Sequence, residues 1–146
     1  MRIKILNVCK LMVVALFVLQ LVNCSNDDEN EPGVIIRDSN SATINDKIVS
    51  VPINSKVETF LEITYKRDEE NQITYTRQYD DNEIEHLDAD KDVFNIEAKD
   101  INHTITNNVK IVTSLADSLV NVGSIVTLRI QVNPDIYGAV YYKVTE

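Results

Sequence analysis

Polar chemistry in this chain is concentrated in one stretch, DDNEIEHLDADKD, running from Asp80 to Asp92. Asp88, Asp90 and Asp92 stand at alternate positions, a spacing that can place three carboxylate oxygens about a calcium ion. A twelve-residue calcium loop begun at Asp88 would also need glycine at its sixth position and a bidentate glutamate at its twelfth. Val93 and Lys99 stand there instead. Two readings are left: an irregular calcium site at a sheet edge, and a solvated acidic loop, the commoner fate of such a charge run. His86 lies among these carboxylates, where it could join Asp88 or Asp90 on a metal. Zinc wants three or four ligands, and no cysteine follows Cys24. A surface histidine is the expected role, and no metal ligand is assigned. His103, the second of the two histidines, sits in an Asn-His-Thr sequon that matters only in a glycosylating host.

Other chemistries find less. Nucleophilic catalysis needs a serine or cysteine held by a base and an orienting group, and neither a nucleophile elbow nor a phosphate-binding glycine loop is present. Paired carboxylates for glycoside hydrolysis remain the one enzymatic alternative in so acidic a chain. Carbohydrate binding would use aromatic platforms, and without tryptophan the candidates are Tyr65, Tyr75, Tyr79, Tyr137, Tyr141 and Tyr142. Tyr75 and Tyr79 share a strand face with Ile73, and Tyr142 with Val140 and Val144, so these read as packing residues. Tyr137 and Tyr141 are the expected exposed pair.

The most specific signal is N-terminal. Arg2, Lys4 and Lys10 precede an unbroken apolar run, Leu11 to Leu19. A membrane-spanning helix needs about 20 apolar residues, whereas the apolar part of a secretory signal takes roughly 7–15. The segment fits the second; the alternative is an uncleaved anchor in which Ile3 to Val8 extend the helix. Its end, Leu21-Val-Asn-Cys24, resembles the lipobox of bacterial lipoproteins, with Asn23 where that family prefers a small residue. The resemblance implies cleavage before Cys24 and lipid attachment to it, leaving the protein tethered to a membrane without spanning it. Ser25 and the acids Asp27, Asp28, Glu29 and Glu31 are similar to the export signal of Bacteroidetes-type surface lipoproteins. That similarity implies display on the outer face of the outer membrane; a merely acidic linker is the alternative. The expected organisation is a signal peptide at 1–23, a lipidated cysteine and acidic tether at 24–33, and one folded domain at 34–146.

The formal net charge of the chain is −9, and all the acids lie beyond Asn26. Such a body repels phosphate backbones, which argues against nucleic acid as a partner. No cofactor is implied.

Beyond Gly33 the apolar residues alternate with polar ones, the mark of strands with one buried and one wet face. One face each is expected from Val57, Leu61, Ile63 and Tyr65; from Phe94, Ile96 and Ala98; from Val126, Leu128, Ile130 and Val132; and from Val140, Tyr142 and Val144. Further strands are expected at 34–37, 43–51, 73–79 and 109–113. Arg67–Gln72 reads as a long hairpin loop, Thr106–Asn108 as a tight turn and Asn133–Asp135 as another. Ser114–Gly123 has a competing helical reading, with Ser114 and Asp117 as caps and Leu115 and Leu119 one turn apart. SLVNVGSIVTLRIQV, 118–132, resembles the strand-glycine-strand entry of immunoglobulin-like bacterial domains. The fold class is therefore all-β: a single immunoglobulin-like sandwich of about seven or eight strands. The expected function is a non-catalytic binding or accessory module at the bacterial surface, held to the membrane by its lipid and directed at a protein or glycan ligand. Alternatives are a structural envelope component assembling with a membrane protein, and a small hydrolase.

Overall fold

Strand alternation is realised along most of the chain. The computed structural model describes residues 31–88 and 91–146. Expectations that fall on Leu11–Leu19, Leu21, Cys24, Asp27–Glu29 and Asp90 lie outside the described residues. Nine strands are present among them: β1 Gly33–Arg37, β2 Ile48–Pro52, β3 Lys56–Lys66, β4 Thr74–Tyr79, β5 Glu85–His86, β6 Val93–Ile101, β7 Thr104–Ser114, β8 Ile125–Gln131 and β9 Tyr137–Thr145. They form a four-stranded sheet in the order β1-β3-β7-β6 and a five-stranded sheet in the order β2-β9-β8-β4-β5. Every pairing is antiparallel except that of β2 with β9. No described helix is long and apolar enough to cross a membrane.

This order is the immunoglobulin plan. With β1, β3, β7 and β6 as strands A, B, E and D, and β9, β8 and β4 as G, F and C, both sheets match the constant-type arrangement. β2 and β5 are added on the outer strands of the second sheet. Antibody domains hold their two sheets together with a disulfide and a tryptophan; this domain contains neither. The predicted inward row of β8, Val126, Leu128, Ile130 and Val132, is at most 1% exposed, and the core is completed by Ile36, Leu61, Ile63, Val109, Ile111, Leu115 and Val140. A buried polar link joins the sheets: the hydroxyls of Thr59 on β3 and Tyr142 on β9 lie 2.6 Å apart. The sandwich completes its core within Gly33–Thr145.

The structure corrects several expectations. Arg67–Gln72 is not a hairpin loop: it carries the chain from β3 in one sheet to β4 in the other. Thr106–Asn108 lies inside β7, and the tight turn sits earlier, at Asn102 and His103, whose φ angles are 50° and 65°. Asparagine tolerates that left-handed backbone best among residues with side chains, and Asn102 was the better turn signal than the Asn107-Asn108 pair. Ser114–Gly123 is not helical. Asp117 instead makes a turn, its carboxylate accepting from the Leu119 amide at 3.0 Å, with Leu115 and Val120 buried and Leu119 exposed. Phe94, Ile96 and Ala98 are not a buried face: all three are exposed, because β6 has a bulge at Ile96 that shifts its alternation and no strand of the second sheet covers it. Residues 43–51 are only partly a strand. Their first half wraps the edge of β1, where the Asn45 amide accepts from Ile36 N–H and donates to Val34 C=O, both at 2.7 Å. The side chain thus mimics a neighbouring strand. Asn133–Asp135 is a turn as expected, Asn133 accepting from two backbone amides at 2.8 and 3.0 Å.

Candidate functional site

Four described acids of the stretch from Asp80 to Asp92 have structural contacts: Asp80, Glu85, Asp88 and Asp92. Asp80 has a left-handed backbone (φ 47°) and its carboxylate takes the Ile125 amide at 2.7 Å, fixing the exit of β4 to the start of β8. Glu85 and Asp92 face a buried cation. Arg77 occupies an inward position on β4, between Tyr75 and Tyr79, and is 7% exposed. Its Nε and Nη2 donate to one oxygen of Glu85 at 3.0 and 2.9 Å, and an Asp92 oxygen lies 3.9 Å away. The guanidinium also stacks over the Tyr79 ring, 5.5 Å from its centroid. A buried cation requires such pairing, and two carboxylates of the stretch supply it. Asp88 accepts the Lys91 and Asp92 amides through its carbonyl, and its carboxylate is 3.9 Å from Lys91 Nζ. Among the described residues no group of three or more His, Cys, Asp or Glu is arranged to hold a metal.

The histidines are separated. His86 lies exposed on β5, opposite Thr76 in the five-stranded sheet. His103 sits at the β6–β7 turn of the other sheet, its Nδ1 3.8 Å from Asp68 with both groups exposed. A cleft of about 300 Å³ opens between the sheets beside β2, floored by Ile44, Val49, Val51 and Tyr142 and rimmed by Asp38, Lys56 and Glu58. Ser39 and Ser55 also line it, and the Ser55 hydroxyl donates to Pro52 C=O at 2.6 Å. Burial raises the Tyr142 hydroxyl above the usual tyrosine range despite its bond to Thr59, which works the other way.

The tyrosines divide as their strand positions dictate. Tyr79 and Tyr142 are buried, and Tyr75 is half-buried on the inward face of β4. Burial is the main cause pushing the Tyr75 hydroxyl up to about 12, with neighbouring Tyr65 adding to it. Tyr79 is raised by burial as well, partly offset by Arg77. Tyr65 accepts from Asn107 Nδ2 at 3.1 Å. Tyr137 and Tyr141, the pair expected at the surface, both point outward from β9, Tyr137 being 56% exposed and Tyr141 half-buried.

These two rings frame a shallow platform on the outer face of the five-stranded sheet. Ala139 lies between them, directly opposite Arg129 on β8. The Arg129 guanidinium stands over the Tyr137 ring, 5.3 Å from its centroid. Thr127 pairs with Tyr141, and Gln131 with Tyr137. On the next strand Thr74, Thr76 and Gln78 share the same face, aligned with Gln131, Arg129 and Thr127. Ile48, 68% exposed, flanks Tyr141 from β2. No Asp or Glu occupies an outward position on β2, β9, β8 or β4, while Arg129 and Lys143 do. In a chain of net charge −9 that segregation is informative. The opposite face, by contrast, mixes the signs: Arg37 lies 3.9 Å from Glu62, Lys110 3.1 Å from Glu58 and Lys99 3.2 Å from Glu97, with Lys56 and Lys66 on the same face.

Fold and site together define an immunoglobulin-like β-sandwich with an acid-free aromatic and amide-hydroxyl face. No protein-family model matches the chain, and no curated protein matches it significantly.

Proposed function

We propose that this is a lipid-anchored, non-catalytic binding module of the bacterial outer membrane, displayed at the cell surface, and that its ligand is a glycan laid across the outer face of the five-stranded sheet. The observation that carries the reading is the Tyr137–Arg129–Tyr141 platform within a face that excludes carboxylates. Tyrosine offers a flat apolar ring with a polar rim, suited to a sugar's mixed surface. Arginine, threonine and glutamine beside it supply donors and acceptors for hydroxyl groups. Because the face holds cations and no acids, a glycan bearing carboxylates is favoured over a neutral one. The address rests on the basic start, the apolar run Leu11–Leu19, the lipobox-like Leu21–Cys24 and the acids after it.

Binding is tested with residues 31–146 by retardation in gels carrying uronate-containing polysaccharide. Tyr137→Ala and Arg129→Ala should each weaken binding at least tenfold, while Glu62→Gln on the opposite face leaves it unchanged. Equal retardation of all variants would remove the platform from the proposal. Anchoring is tested separately: Cys24→Ala should abolish acyl labelling and membrane partitioning. Replacing Asp27, Asp28 and Glu29 by alanine should reduce protease access on whole cells.

A further inference from the structure

Sheets expose their edges, and this sandwich closes all but one of its long ones. β1 is covered by residues 43–45, through the Asn45 amide, the Ile44 N–H bond to Ile36 C=O at 2.8 Å and a bridge from Arg37 to Thr43. β5 has two residues, and β2 has five and ends in Pro52. β6 differs: nine residues long, it pairs only with β7, and every residue after Val93 is exposed. Three large apolar side chains project from it, Phe94, Ile96 and Ile101, at 43%, 58% and 62% exposure. A long uncovered edge is a template for another strand.

We infer that β6 pairs antiparallel with β6 of a second copy of this chain, about a two-fold axis at Ala98, joining two four-stranded sheets into one of eight strands. The register follows from two constraints. First, the β6–β7 turn has two residues with positive φ, so the flanking pair Ile101–Thr104 is a hydrogen-bonded one. Alternation then turns the backbone groups of Lys99 and Glu97 toward β7 and those of Ala98 and Asp100 outward. A partner strand must meet Ala98 and Asp100. Second, the charges select the centre. A two-fold axis at Glu97, Lys99 or Asp100 sets a like charge against its own copy, which is destabilising. An axis at Ala98 sets Glu97 opposite the Lys99 of the second copy and Lys99 opposite its Glu97. These fall at non-hydrogen-bonded positions, where side chains approach most closely. Glu97 and Lys99 already lie 3.2 Å apart within one chain, so the two copies would close a ring of four alternating charges. The interface is isologous, as a two-fold dimer requires.

The test uses residues 31–146, which hold the complete core. Sedimentation equilibrium should show a dimer. Glu97→Lys and Lys99→Glu singly should each raise the dissociation constant about tenfold by setting like charges opposite each other. Combining the two exchanges should restore it. Ala98→Cys should form an intermolecular disulfide under mild oxidation, since hydrogen-bonded antiparallel partners are about 5.5 Å apart at Cα, within disulfide reach. No other cysteine is present in this span. Asp100→Cys, which would face Ile96 rather than itself, should cross-link poorly. A monomer at high concentration, or a dimer indifferent to the charge exchanges and cross-linked equally at both positions, would overturn the inference. Circular dichroism of each variant separates loss of pairing from loss of fold.

Discussion

Arg77 is the residue least legible in the sequence. ITYTRQY alternates cleanly, and Ile73, Tyr75 and Tyr79 mark the inward face, yet the arginine between the tyrosines shares it. Its partners lie eight and fifteen residues on, in a stretch whose carboxylates invite a metal reading, and only the β4–β5 pairing brings Glu85 to it. Removing a partner leaves a buried charge short of compensation, whereas replacing both members of such a pair with apolar groups of similar volume is often neutral. Glu85→Ala should therefore cost about 1–3 kcal/mol in urea unfolding, and Arg77→Leu combined with Glu85→Leu in one chain should cost less. The reverse order would show the guanidinium to be held by more than these contacts. Tyrosine titration tests the core at the same scale. Tyr75, Tyr79 and Tyr142 have hydroxyls raised by burial, Tyr75 to about 12. A raised folded value means the folded state binds more protons than the unfolded one above pH 10. Stability from these groups is thus complete below pH 10 and falls between pH 10 and 12. The urea midpoint should decline across that window, and the phenolate absorbance of Tyr75, Tyr79 and Tyr142 should appear at higher pH in the folded protein than in urea.

Among elements, β3, β8, β9 and the edge strand β1 were readable, whereas the first half of β7 and the inward face of β6 were not. The predicted rows of β3, β8 and β9 are the inward ones because that face of each meets the opposite sheet, although Phe60 and Ala139 place apolar residues on the other face. β6 carries the same alternation over VFNIEA, but periodicity records a strand and not whether anything lies over it. The bulge at Ile96 and the missing cover are tertiary facts. Likewise the turn expected at Thr106–Asn108 was misplaced because which asparagine adopts positive φ is not written in composition. The platform was half legible: Tyr137 and Tyr141 follow from their offset to Val140 and Tyr142, while Arg129 required the β8–β9 register. Glycine marks a further element contact. A Cβ at Gly138 would stand 2.9 Å from Val34 Cγ1 and 3.1 Å from Val34 Cβ, where β9 passes close beneath β1. Gly138→Ala should cost about 1–3 kcal/mol by overpacking. Val34→Ala in the same chain should recover part of it, giving a coupling energy of about 1 kcal/mol in a double-mutant cycle. Strict additivity would mean the strain is relieved elsewhere.

For the whole molecule, the proposed anchor, platform and dimer constrain one another. A two-fold axis at Ala98 runs perpendicular to the four-stranded sheet. If each copy carried the proposed lipid and both entered one leaflet symmetrically, that axis would stand normal to the membrane and the sheets would lie parallel to it. Gly33, where β1 begins, is aligned through Thr64 and Thr106 with Lys99, close to the level of the axis. Both tethers then leave from equivalent places, each able to span about 30 Å when extended. Because the axis keeps each face on its own side, both Tyr137 platforms point the same way. Such a dimer would engage a long polysaccharide at two places, and linked sites gain roughly 10²–10⁴ in avidity without new contacts. Ala98→Pro removes one outward N–H at an edge, where proline is tolerated, and should give a monomer with an intact platform. Short uronate oligosaccharides should bind this variant and the parent equally in calorimetry. Long polysaccharide should bind the variant at least tenfold more weakly. Equal affinity for the long polymer would mean that the two platforms act independently, whatever the chain's oligomeric state.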